Sequence, residues 1–235
     1  MTGFQKWTDT LYNTFIVSDR YQILIDGLLK TILITVGALI IGVVIGTIVA
    51  IIKVMVEQNR KPSVIGKAAS KICDLYLTVI RGTPVVVQLL IAFFIVFPSA
   101  KDGTWVAILT FGINSGAYVA EIIRSGILAI DPGQAEAGRS LGFSQTQTMQ
   151  LIVLPQAFKN ILPAIGNEMI ALLKETSVAG YVAVVEITKA GNQIKNTTYD
   201  QINPILLVAI LYLAMVVGLT SLLNVLERRL RKSER

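Results

Sequence analysis

A chain of 235 residues that is 53% hydrophobic and only 15% charged, with a mean hydropathy of +0.65, is too apolar for an ordinary soluble domain and reads as a membrane protein. A lone Cys73 and the absence of His exclude an internal disulfide and the His-based metal and nucleophile arrangements. The net charge of +6 marks membrane topology rather than nucleic-acid binding, because the basic residues gather at the edges of apolar runs.

In chain order, residues 1–22 alternate polar and apolar and lack the continuous apolar core and cleavage site of a secretory signal, so no removal is expected. Phe4, Trp7, Leu11 and Phe15 recur at helical spacing and predict a short amphipathic helix lying on the outer interface. The membrane domain is expected over residues 23–226. Its first span, Thr31 to Ile52, carries no charge and holds a Gly42-xxx-Gly46 pair for close helix packing. Lys53, Arg60, Lys61, Lys67 and Lys71 crowd the loop that follows, which places that loop in the cytoplasm.

Gly82 to Ala100 is a second uncharged run, and Arg81 before it is expected to snorkel at the inner interface. Thr83-Pro84 reads as the N-cap and first turn of this helix, leaving free N–H groups that attract a carboxylate. After a turn at Lys101, Thr104 to Ala120 forms a third span that continues toward Ile130 through Glu121 and Arg124, three apart and expected to neutralise each other. It carries a second packing pair, Gly112-xxx-Gly116.

The loop at 131–155 suits two short helices. Asp131-Pro132-Gly133 ends the span, Gly142 turns the chain after a helix around Gln134 to Leu141, Ser144 caps a second helix with Gln147 at the capping-box position, and Pro155 marks the next break. Small residues at Ala135, Ala137 and Gly138 let another protein approach the backbone. Ile161 to Val185 is a fourth span interrupted by Pro163, Asn167, Glu168, Lys174 and Glu175, and Ile205 to Leu223 is the last. Asn196-Thr197-Thr198 matches a glycosylation triplet by pattern alone. The tail 227–235 is basic, so about five spans put the N-terminus outside and the C-terminus in the cytoplasm.

Helical rise places Asn114 about 15 Å from the outer edge and Glu168 about 20 Å from the cytoplasmic start, both near the midplane. Gln88, Ser115 and Tyr118 are near them in register. An amino acid zwitterion needs donors for its carboxylate and an acceptor for its ammonium; Gln88, Asn114, Ser115 and the helix end at Thr83 donate, and Glu168 accepts. The alternative is that Asn114 and Glu168 merely hydrogen-bond across helices.

Glu136-Ala137-Gly138, then Gly142, then Ile152-Val153-Leu154-Pro155 reproduce, at its usual spacing, the cytoplasmic signature of ATP-binding-cassette importer permeases, with Gly138 standing where Ala is usual. Arg81-Gly82-Thr83-Pro84, Tyr118-Val119-Ala120-Glu121-Ile122-Ile123-Arg124, Gly133-Gln134, Asn167-Glu168 and Leu173-Lys174-Glu175-Thr176-Ser177 extend the match over roughly 72–186. Together they resemble the polar amino acid permeases of the histidine, glutamine and arginine type. The resemblance implies an all-α, polytopic type I importer fold in the bacterial cytoplasmic membrane, with Glu136, Ala137, Gly138, Leu141 and Gly142 in a cytoplasmic coupling helix that docks on a separate ATPase. It also implies a second permease subunit, identical or a sister chain, and an extracytoplasmic amino-acid-binding protein.

No Gly-x-x-x-x-Gly-Lys-Ser/Thr run occurs, Gly66-Lys67-Ala68 being the nearest fragment. ATP and magnesium are therefore expected on the partner ATPase, with no cofactor, metal or catalytic residue in this chain. The expected function is import of polar amino acids by alternating access, including basic ones such as arginine, lysine or histidine. An ATP-independent amino acid transporter or channel subunit is the alternative, disfavoured because no internal inverted repeat is seen.

Overall fold

The computed structural model of the chain describes residues 3–59 and 61–232. Arg60 and Arg235, two of the basic residues expected to mark the inner side, lie outside them, as do the side chains of Phe4, Arg231 and Lys232. The described residues are almost wholly helical: α1 Gly3–Leu11, α2 Tyr21–Glu57, α3 Val64–Gly82, α4 Val85–Ile91, α5 Gly103–Leu128, α6 Pro132–Ser140, α7 Gln145–Thr148, α8 Leu154–Glu175, α9 Ile187–Thr198 and α10 Asn203–Lys232.

The packing is the reverse of a soluble core. Along α2 the buried stripe is mostly small, with Gly27, Thr31, Thr35, Ala38, Gly42, Gly46 and Ala50 at three- and four-residue intervals. The opposite face exposes Leu29, Leu33, Val36, Ile40, Val44 and Ile48. Large apolar residues facing outward suit lipid, and small residues facing inward let helices approach. Both Gly-xxx-Gly pairs serve one interface, between α2 and α5. A Cβ on Gly42 would stand 2.9 Å from Ser115 Oγ, on Gly46 2.7 Å from Val119 Cβ, and on Gly112 2.6 Å from Ile41 Cβ. Beside this pair, Leu89, Phe111, Leu172, Ala179, Val182 and Val184 fill the centre together with Ile34 and Ala38.

Among the described residues three helices, α2, α5 and α10, are long and apolar enough to cross a membrane alone, and α3 with α4 makes a fourth if the bent pair counts as one span. The second expected span therefore differs from the uninterrupted run read from the sequence. The chain bends by 104° between α3 and α4, because Thr83, preceding Pro84, is driven to extended backbone at φ −122° and ψ 144°.

The interrupted span expected at Ile161 to Val185 is shifted. It begins at Leu154 in α8, ends at Glu175, and gives way to a tight 3-10 turn over Thr176–Val182. α8 has the length of a span, but its polar and charged residues together keep it out of the apolar set; it packs closely on its neighbours, Gly126 of α5 admitting Ile161 and Gly166 admitting Leu223 of α10. Pro155 does not break the chain as expected. A wider π turn at Met149–Val153 leads directly into α8 with Pro155 in its first turn, where the missing N–H costs little.

At the end that carries the N-terminus, Thr14 donates to Asp200 Oδ2 at 2.9 Å and Asn203 Nδ2 donates to the same oxygen at 2.7 Å. Burial alone would push the Asp200 carboxyl up, but hydrogen bonds from Asn203, Thr14 and Ile202 outweigh it and hold it below the usual range. This tether joins the N-terminal segment to the start of α10. α10 itself continues to Lys232, so the first basic residues of the tail ride on its last turns.

Candidate functional site

The polar residues singled out in the spans form two cross-helix pairs. Asn114 and Ser115, both buried on α5, point to different neighbours. Asn114 Nδ2 donates to Gln88 Oε1 of α4 at 3.0 Å, and Ser115 Oγ donates to Glu168 Oε1 of α8 at 2.7 Å. Four elements of chemistry from three helices are thus gathered on neighbouring turns. These bonds are also the cross-helix bonds that the sequence offered as the alternative to ligand contact.

Tyr118, one turn beyond Asn114 on α5, is partly exposed and carries the Arg81 guanidinium 5.6 Å from its ring centroid. Arg81, itself exposed, thus lies against the same helix face as Asn114.

Thr83 is not the cap expected. It ends α3, and the N-cap of α4 is Pro84, which makes no side-chain cap bond. The Thr83 hydroxyl donates back to Val79 O at 2.8 Å. Gln88 Nε2 reaches the same corner, donating to Ile80 O at 2.8 Å, to Thr83 Oγ1 at 2.8 Å and to Thr83 O at 3.2 Å. The amide of Gln88 therefore closes the carbonyl end of α3 and at the same time accepts from Asn114. The bend is built as one unit with the polar pair.

Near the C-terminal ends of α2 and α5, Arg124 pairs with Glu121 at 2.7 Å, as expected, and also with Glu57 of α2 at 3.5 Å. Lys53 bridges α2 to Asp74 of α3 at 2.7 Å. Nothing in the apolar pattern indicated the Lys53–Asp74 bridge.

The loop between α5 and α8 has the local chemistry read from its residue types. Asp131 accepts from Gly133 N at 2.8 Å to start α6. α6 ends in a Schellman turn: Phe143 N donates to Gly138 O, Gly142 N donates to Arg139 O, and Gly142 holds φ +88°. Ser144 and Gln147 then form the reciprocal capping box. Glu136, Ala137 and Leu141 face outward, whereas Gly138 is buried. At Gly138, where Ala is usual, a Cβ would come 2.7 Å from Ile152 Cδ1 and 2.9 Å from Thr148 Cγ2, so an Ala there needs these side-chain ends to shift. Behind α6 a cleft of about 260 Å³ is lined by Gln58, Asp131, Glu136, Arg139, Thr148 and neighbours.

Sequence reasoning missed Glu186. Its carboxylate has no exposed surface. It accepts from the N–H groups of Thr188 and Lys189 at 2.7 Å each and from the Tyr212 hydroxyl at 3.2 Å. The available signal was its position one residue before a polar-apolar helical pattern, where a carboxylate caps a helix.

Residues 42–232 match the family described as binding-protein-dependent transport system inner membrane component. The chain is 36% identical over 214 residues to the arginine transport system permease protein ArtQ of Bacillus subtilis (strain 168), covering 90% of this chain and 94% of that protein. It is 34% identical over 213 residues to the glutamine transport system permease protein GlnP of Escherichia coli (strain K12), covering 89% and 93%. Among solved structures it superposes on a chain of an amino acid ABC transporter with histidines at a TM-score of 0.82 and 38% identity, covering 92% of this chain and 98% of that one. The fold also matches the MetNI methionine ABC transporter, at a TM-score of 0.74 and 21% identity.

Proposed function

The chain belongs to the family of binding-protein-dependent transport inner membrane components, and from that premise we propose that it is the membrane-spanning subunit of an ATP-driven importer of polar amino acids. Members of this family are transport components, with ATP hydrolysis in a separate subunit. The observation that carries the substrate class is the pairing of Asn114 with Gln88 and of Ser115 with Glu168 on neighbouring turns, inside helices whose outward faces are apolar. Polar groups at this depth are costly unless they have a task, and relatives named for arginine and glutamine transport supply one.

In this reading a substrate ammonium or cationic side chain competes with the Ser115 hydroxyl for Glu168, and the amides of Asn114 and Gln88 turn to the substrate. Glu168 biases the path toward basic amino acids. Glu136, Ala137, Gly138, Leu141 and Gly142 form the surface that docks on an ATPase, which holds ATP and magnesium. A second permease subunit and an extracytoplasmic amino-acid-binding protein complete the importer. The N-terminus is outside and the C-terminus in the cytoplasm.

The experiment is uptake of labelled L-arginine and L-glutamine by proteoliposomes holding the complete complex, with and without ATP. ATP-dependent uptake of at least one is expected. Glu168→Gln should reduce arginine uptake about tenfold or more, the worth of a charge-assisted hydrogen bond, and glutamine uptake much less. Equal losses would assign Glu168 to the ammonium shared by all amino acids, and no uptake of any polar amino acid would end the proposal.

A further inference from the structure

Resting on that reading, we infer that Arg81 holds the α-carboxylate of the substrate. The argument begins with which charges in the helices are already satisfied. Among the described residues, the ion pairs join Lys53 to Glu57 and Asp74, and Arg124 to Glu57 and Glu121. Arg81 and Glu168 take part in none of them. Glu121, the acid whose field reaches Arg81, is already held by Arg124 at 2.7 Å.

Arg81 and Glu168 thus both lack a salt bridge, and both adjoin the same stretch of α5. Glu168 meets Ser115, and Arg81 lies on Tyr118, three residues further on. In an α-helix residues three apart are neighbours on one face. A basic amino acid carries the two complementary charges, a cationic group for Glu168 and a carboxylate for Arg81.

Arg81 has no competing structural duty at its own helix end. A basic residue in the last turn of a helix commonly serves the terminal carbonyls. At the end of α3, however, Val79 O is taken by the Thr83 hydroxyl, while Ile80 O and Thr83 O are taken by Gln88. The guanidinium lies over the Tyr118 ring instead, 5.6 Å from its centroid, and its planar fork of N–H donors suits the bidentate geometry a carboxylate prefers. The Lys53–Asp74 bridge and the Tyr76 hydroxyl, which donates to Ile113 O at 2.6 Å, fix α3 against its neighbours and so aim Arg81 at Tyr118.

The test compares each amino acid with its decarboxylated amine on the complete complex in nanodiscs, by calorimetric titration: L-arginine against agmatine, and L-glutamine against 4-aminobutanamide. The wild type should prefer the amino acid of at least one pair by about tenfold or more. Arg81→Gln should cut affinity for that amino acid by about the same factor and leave its amine unchanged, so that the preference collapses. Arg81→Met, which keeps the aliphatic stem on Tyr118, is measured in parallel, so that a failure of one variant to assemble leaves the other to decide. A preference that persists in an assembled variant overturns the inference while leaving the importer reading intact. A wild-type complex that binds neither amino acid overturns both.

Discussion

A single methyl group decides how closely the helices of this chain can approach, and its cost depends on which atom it meets. At Gly126 an added Cβ would stand 2.4 Å from Ile161 Cγ1, the methylene in the middle of a packed side chain. At Gly138 the nearest atom is the Cδ1 tip of Ile152 at 2.7 Å, which can turn aside. Gly126→Ala should therefore destabilise by about 1–3 kcal/mol, as overpacking does. Gly138→Ala should stay within about 1 kcal/mol of wild type, since replacing a helical glycine returns roughly 0.5–1 kcal/mol. Thermal unfolding of the two purified variants in parallel checks the ordering, and equal losses would show that the loop is packed as tightly as the α5–α8 contact. Gly42, Gly46, Gly112 and Gly116 were legible as packing residues because they repeat at helical spacing. Gly126 and Gly166 were not, because each meets a large side chain from a helix distant in sequence, and no local pattern records that.

At the scale of elements, legibility followed how local the controlling interaction is. The turn at Gly142 and the Ser144–Gln147 box each close within six residues and were readable from residue types, whereas Asp131-Pro132-Gly133, read only as the end of the preceding span, also caps α6. The α3–α4 corner was misread because Thr-Pro fits either a helix start or a helix end. What decides is Gln88, whose side chain returns to satisfy Ile80 O and Thr83 O. Pro155 was misread because a π turn before it absorbs the lost hydrogen bond. The same local determinism makes the loop testable as a unit. Gly142 sits at φ +88°, where a β-branched residue is strained, so Gly142→Val should displace the exposed end of α6. Glu136→Lys should leave the loop folded and reverse one charge on its outer surface. Both variants should lose co-purification with the ATPase or raise its substrate-independent hydrolysis, with membrane insertion unchanged. If both keep normal association and substrate-stimulated hydrolysis, α6 is not the docking element.

Across the whole molecule the hydropathy that identifies the class also limits what it can reveal. Only 6% of the apolar window of α10 and 33% of that of α2 is buried inside the chain. Those helices announce themselves because they face lipid or another subunit. α8 carries Glu168 and was the least certain span, because Pro163, Asn167, Glu168, Lys174 and Glu175 interrupt its apolar run. The helix that carries the proposed substrate carboxylate is thus the one that hydropathy reads worst, and its placement depends on the topology of the rest. That topology rests on charge: Lys53, Lys61, Lys67 and Lys71 gather around the α2–α3 connection, and basic residues near the inner surface set orientation. Lys189 and Lys195 on α9 are fewer and are offset by Glu186 and Asp200 nearby, which fits the opposite side. Two exposed positions decide the matter without disturbing a cap, after Cys73 is replaced by Ala. Val64, one residue past the Ser63 cap, is 84% exposed, and Asn196 is exposed on α9. In intact cells Asn196→Cys should react with an impermeant maleimide and Val64→Cys should react only after the membrane is opened. The reversed pattern would place α6 on the wrong side for any cytoplasmic ATPase, and would remove the orientation on which the coupling surface depends.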